Sequence, residues 1–128
     1  MKLLVVRHGE TIENANEIIM GQLGGTLSEK GIKQAKAMAE RLKDEQFDQI
    51  WSSDLKRCVD TAEYILKFRP NLKLQLTTAL REVNYGKYQG SSSSAIQLFF
   101  KKHPDFLAVV VPGGESHLDM FRRTIDFV

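Results

Sequence analysis

The chain has 128 residues, 42% of them hydrophobic and 27% charged, with a formal net charge of +2. That length supports one domain with a modest core, and the balance is that of an ordinary globular protein. The charge is too small to argue for a nucleic-acid or membrane partner, and no apolar stretch reaches membrane-spanning length. Cys58 is the one cysteine, so no internal disulfide can form and a reducing, cytoplasmic location fits. Its expected role is that of a small buried hydrophobe.

Leu3-Leu4-Val5-Val6 runs directly into Arg7-His8-Gly9-Glu10-Thr11. A short continuous apolar run predicts a strand buried on both faces. Gly9 lets the chain turn sharply and leaves backbone N–H groups open. His8 is then expected at the C-terminal end of a central strand, where open α/β sheets place their ligand crevice. A neutral imidazole there can be a nucleophile, a base or a metal ligand. Arg7 beside it repels a metal ion and suits an anionic substrate such as a phosphate. The alternative is a strand-end histidine with only a structural hydrogen bond.

Residues 12–27 read as a loop, broken by Gly21, Gly24 and Gly25. Thr11 and Asn14 can donate to phosphate oxygens or simply cap a turn. A helix is expected from Ser28, a good N-cap, with Ile32, Ala35, Ala39 and Leu42 as its apolar stripe. Phe47 to Ser53 predicts a short strand. A helix follows Asp54, with Leu55, Val59, Ala62 and Leu66 at helical spacing and Arg69-Pro70 ending it. Arg57 falls in its first turn, where open N–H groups favour an anion.

Leu72, Leu74 and Leu76 alternate with polar residues and predict a strand with one buried face. Leu80 to Gly90 reads as a substrate-facing loop containing Glu82. A short helix is expected over Ala95 to Lys102, with Ser94 able to cap it. His103 reads as structural or exposed. Ala108 to Val111 is a short apolar run. A last helix is expected after Ser116, with Leu118, Phe121, Ile125 and Val128 as its stripe and His117 exposed in its first turn.

Four of these segments, in this order, resemble the histidine phosphatase superfamily, the phosphoglycerate mutase-like enzymes. They are Arg7-His8-Gly9-Glu10-Thr11, the stretch from Ser53-Asp54-Leu55 through Arg57 to Thr61-Ala62, the Leu80 to Gly90 segment, and Gly113-Gly114-Glu115-Ser116. The stretch Gly21 to Ser28 is similar to a fifth segment but has Gly24 and Thr26 where the family usually has Asp and Pro. The resemblance implies an α/β three-layer sandwich with a mostly parallel central sheet flanked by helices. It implies phosphomonoester hydrolysis through a phosphohistidine on His8, without metal or other cofactor. Glu82 becomes the proton donor to the leaving oxygen, and such a donor must hold its proton at working pH. Arg7, Thr11, Asn14, Gly21 and Arg57 become the candidate phosphate-binding residues.

The family also has a second histidine at the end of a later strand, and neither His103 nor His117 fits that place. Residues 1–128 are therefore expected to form a single domain that is C-terminally incomplete, without the segment carrying the second catalytic histidine. A first strand lacking its neighbour also invites pairing with another chain, so a homo-oligomer is compatible with the sequence. The expected partner is a small-molecule phosphoester. Two other readings stay open: mutase-type phosphoryl transfer, and a non-catalytic phosphate-binding or interaction protein.

Overall fold

The computed structural model describes residues 2–128. In chain order the elements are α1 (Ile12–Ala15), α2 (Glu29–Leu42), β1 (Ile50–Ser53), α3 (Lys56–Leu66), β2 (Leu74–Thr77), α4 (Ser93–Lys101) and α5 (His117–Phe127). Short 3-10 turns cover Thr78–Leu80 and Gly86–Tyr88. The architecture is α/β, with a parallel sheet flanked by helices. β1 and β2 pair in parallel, from Ile50 opposite Leu74 to Ser53 opposite Thr77, and α3 is the crossover between them. Parallel neighbours require such a connection, because a tight hairpin can only reverse the chain.

Helix α2 starts where Ser28 accepts the Gly31 N–H at 3.0 Å, satisfying one of the open donors of the first turn. Its small residues Gly31, Ala35 and Ala39 are buried, as are Arg57, Thr61, Ala62 and Ile65 of α3. Small side chains let α2 and α3 approach closely, and this pair forms the principal helix–helix packing. Helix α5 packs against the Thr78–Leu80 turn. Phe127 at its end meets Trp51 of β1 edge-on at 5.1 Å between ring centres.

The apolar run at the start behaves differently from its expected strand. Residues 3–8 carry no strand assignment, and Leu3 and Val5 are 61% and 85% exposed. A strand buried on both faces needs a ladder partner and covering layers, and no described element pairs with this segment. His8 is instead positioned from its C-terminal side. Gly9 sits backbone to backbone on Gly31. The Gly9 N–H donates to Thr61 Oγ1 at 3.1 Å. Glu10 accepts from Ser28 Oγ at 2.9 Å and from Lys30 Nζ at 3.0 Å. The Arg-His-Gly turn is thus bolted to the first turn of α2 and to α3.

Other expectations shift too. The 12–27 loop begins with the helical turn α1, because Thr11 and Asn14 form a reciprocal capping box. Helix α4 begins at Ser93 with Ser92 as its N-cap, ahead of the expected Ser94. In β2 the expected buried face is broken, since Leu76 is exposed. Helix α5 has its own capping box from Ser116 and Asp119, yet Phe121, Ile125 and Val128 of its apolar stripe are exposed. His117 is not exposed. Its ring stacks on Phe106 with centres 4.3 Å apart, and its Nδ1 is buried without a hydrogen-bond partner.

The Gly9–Gly31 contact makes a sharp prediction. Alanine in a helix interior ordinarily stabilises by about 1 kcal/mol over glycine. A Cβ on Gly31, however, would run into the Glu10 carbonyl oxygen. Gly31→Ala should therefore destabilise the chain by about 1–3 kcal/mol, the usual cost of overpacking. Urea unfolding would show a lower midpoint at unchanged slope, and a raised midpoint would overturn the close-approach argument.

Candidate active site

The site is built around contacts between His8 and Arg57. His8 Nδ1 lies 2.7 Å from the Gly9 carbonyl oxygen. A carbonyl only accepts, so Nδ1 carries the proton and Nε2 presents a lone pair. That lone pair accepts from Arg57 Nε at 3.1 Å. Burial disfavours the imidazolium, and the positive charges of Arg57 and Arg7 disfavour it further. Together they hold the His8 pKa below its ordinary 6.5, against the opposing pull of the Gly9 carbonyl and the Glu82 charge. His8 is therefore a neutral, oriented imidazole at neutral pH.

Arg57 lies at the second position of α3 and is 4% exposed. Its guanidinium is matched donor by donor. Nη1 donates to the carbonyls of Leu23 at 2.6 Å and Gly24 at 3.2 Å, and Nη2 donates to the Gly21 carbonyl at 2.8 Å. With Nε on His8, four of its five N–H groups have partners. Gly21 contributes this carbonyl from a left-handed backbone, with φ of 51°, a conformation glycine adopts without strain. Glu13 supplies a nearby negative charge; against the cost of burial, hydrogen bonds from the Glu13 and Thr26 N–H groups and from Thr11, with a smaller part from the Arg57 charge, hold its carboxyl below the usual range.

The other predicted residues divide. Arg7 is exposed beside His8 and adds a second positive charge. Glu82 is also exposed, its carboxylate accepting the Val83 N–H at 2.8 Å, and its charge reaches His8. Burial and that same carboxylate push Tyr85, three residues on, up to about 12. Asn14 accepts the Thr11 N–H through Oδ1 at 3.2 Å. Thr11 is fully buried with its hydroxyl capping the Asn14 N–H at 3.0 Å. For Thr11 the hydrogen bonds present are those of the turn-capping role.

Several residues at the site were given no individual role by the sequence reading. Thr61 joins Gly9 to α3 by accepting the Gly9 N–H and donating to the Arg57 carbonyl at 2.8 Å. It stands one turn after Arg57, so the i to i+4 spacing was the available signal. Glu115 and Arg123 pair at 2.8 Å under the Glu82 loop. Glu115 stood in the Gly113-Gly114-Glu115-Ser116 segment, but nothing in that segment paired it with Arg123. His103 and His117 both pack in an aromatic cluster with Phe99, Phe100 and Phe106. Among the described residues no group of three His, Cys, Asp or Glu side chains comes together with metal-holding geometry. No described helix is long and apolar enough to cross a membrane.

This arrangement has known relatives. The fructose-2,6-bisphosphatase TIGAR of Bos taurus is 40% identical over 130 residues, covering 98% of this chain and 48% of the relative. A metal-independent phosphoserine phosphatase of Arabidopsis thaliana is 37% identical over 134 residues, covering 98% of this chain and 56% of the relative. Among solved structures, a mycobacterial glucosyl-3-phosphoglycerate phosphatase in complex with VO3 superposes with a TM-score of 0.83 at 35% identity, covering 94% of this chain and 61% of that one. The chain thus spans about half the length of the curated relatives it matches. The family model of the histidine phosphatase superfamily, branch 1, matches residues 3–128, and the chain belongs to that superfamily.

Proposed function

We propose that this chain carries out phosphomonoester hydrolysis through a phosphohistidine on His8, without a metal. The observation that carries this reading is the fixed tautomer of His8, with Nδ1–H held by the Gly9 carbonyl and the Nε2 lone pair directed at a guanidinium. Nε2 attacks phosphorus in line, forming the N–P bond as the P–O bond to the leaving group breaks. Arg7, Arg57 through its Nε–H, and Asn14 bind the peripheral oxygens where charge gathers, and the Gly21 carbonyl holds Arg57 in place. Glu82 gives its proton to the leaving alkoxide. Water then breaks the N–P bond, returning a proton to the Glu82 carboxylate and releasing inorganic phosphate. Two arginines supply the charge stabilisation that a metal provides elsewhere, and the phosphatase names of the relatives support hydrolysis. A small-molecule phosphoester and a cytoplasmic setting complete the proposal.

A second reading is a phosphate-binding module. The contact of Arg57 Nε on His8 Nε2 favours it, because it covers the lone pair that must attack. Turnover separates the two. Hydrolysis of nitrophenyl phosphate by this chain should persist in EDTA and fall by at least about a thousandfold in His8→Ala. Anion binding without hydrolysis would establish the module instead, and activity restored to a chelated sample by a divalent ion would refute metal independence.

The acid limb of kcat/KM should lie below pH 6.5, because the neutral form of His8 is favoured down to its lowered pKa. A limb centred above pH 6.5 would remove His8 from the nucleophile's role. Glu82→Gln should slow alkyl phosphate hydrolysis by about a hundredfold or more, the worth of a general acid, while slowing nitrophenyl phosphate far less. Equal slowing of both would take the acid role from Glu82.

A further inference from the structure

Glu82 is exposed on its loop, and a general acid placed an ångström away from its working position loses much of its value. What holds this loop is a polar network outside the reacting groups. Glu115 Oε1 accepts from the Asn84 N–H at 2.9 Å, from Gln22 Nε2 at 3.3 Å and from Arg123 Nη2 at 2.8 Å. Arg123 Nη2 and Gln22 Nε2 both also donate to the Glu82 carbonyl, at 3.0 and 3.1 Å. Arg123 Nη1 donates to the Ala79 carbonyl at 2.7 Å. The backbone on both sides of Glu82 is therefore fastened to one carboxylate and its two donors.

Gln22 gives the network its reach. Its neighbours Gly21, Leu23 and Gly24 are the carbonyls that seat Arg57, which in turn touches His8. Its own backbone N–H is fixed by Gln89 Oε1 at 2.7 Å. One residue thus binds the acid's loop through its side chain and the phosphate arginine's cradle through its chain neighbours. The Glu115 and Arg123 side chains are 20% and 23% exposed, and charge-assisted bonds in such partly dry surroundings are strong and directional.

We propose that Glu115, acting with Arg123 and Gln22, is a positioning residue that sets the place of the Glu82 carboxyl relative to His8. This rests on the phosphatase reading above. A residue that only stabilised the fold would slow every substrate alike. A residue that places the acid changes the dependence on the leaving group.

The test compares kcat/KM for nitrophenyl phosphate and an alkyl phosphate in the full chain, in Glu82→Gln, in Glu115→Gln and in the double variant. Glu115→Gln keeps an acceptor for the Asn84 N–H and removes the charge that binds Arg123. It should raise the aryl-to-alkyl ratio about ten- to a hundredfold, the penalty of an ångström-scale misplacement. In the Glu82→Gln background it should raise that ratio no further, since the acid is already gone. A changed ratio in Glu82→Gln but an unchanged one in Glu115→Gln, or equal further increases in the double variant, would overturn the positioning role alone. An unchanged ratio in Glu82→Gln, or no hydrolysis by the parent chain, would overturn the phosphatase reading and this inference with it. Circular dichroism checks that each variant folds. If Glu115→Gln does not, Arg123→Lys, which keeps the charge and loses the planar fork, takes its place with the same expected ratio.

Discussion

A guanidinium removed from water must have its donors matched, and the site depends on how Arg57 meets that demand. An unpaired buried charge costs several kcal/mol, so the surrounding backbone must supply acceptors at fixed positions. Here they are the carbonyls of Gly21, Leu23 and Gly24. Three acceptors from four consecutive residues of one loop, converging on one planar group, fix the conformation of that loop. Gly21 provides the positive φ this requires. The same arginine then presents Nε to His8. A lysine could not replace it, since three rotating N–H donors on a point charge do not match four acceptors spread around a planar fork.

The second constraint is the approach of Gly9 to Gly31. It fixes His8 from its C-terminal side, against α2 and α3. Much of this framework was legible in the sequence. The α2 stripe, the Ser28 cap, the strand–helix–strand from Ile50 to Thr77 and the place of Arg57 in the first turn of α3 all follow from local pattern. The first strand did not follow. Leu3 to Val6 records that the segment is apolar, but a strand is defined by a ladder, and a run of four residues cannot specify its partner. The same holds for α5, whose stripe is helical in period yet largely exposed. Period determines the element, and neighbours determine burial.

The candidate site shows the same division. His8, Arg57 and Glu82 stand in short motifs that resemble the family's, and their proposed roles come from that resemblance. Thr11 and Asn14 were legible as two alternatives, and the capping box shows how local geometry uses them. The network under Glu82 was illegible, because Gln22 and Glu115 lie 93 residues apart and only the fold brings them together. His117 was misread for a related reason. A histidine in the first turn of a helix is ordinarily exposed, but Phe106 and Phe100 arrive from a separate segment to cover it.

The contact between Arg57 and His8 serves the proposed chemistry in two opposed ways. It adds to burial in keeping the imidazole neutral, because a second positive charge beside Arg57 is penalised, so the nucleophile needs no general base. It also occupies the lone pair that must attack. In the proposed reaction an entering phosphoryl group resolves the conflict. Its peripheral oxygens carry negative charge, so a guanidinium hydrogen bond to one of them adds a charge–charge attraction that the neutral imidazole nitrogen does not offer. Arg57 Nε therefore gains by exchanging the neutral imidazole nitrogen for a phosphate oxygen, while Nη1 and Nη2 keep the three loop carbonyls that fix its position. In the proposed reaction the exchange uncovers Nε2 only when an anion is present to be attacked, the Arg57 contact keeps His8 oriented between turnovers, and the substrate's own charge removes the cover.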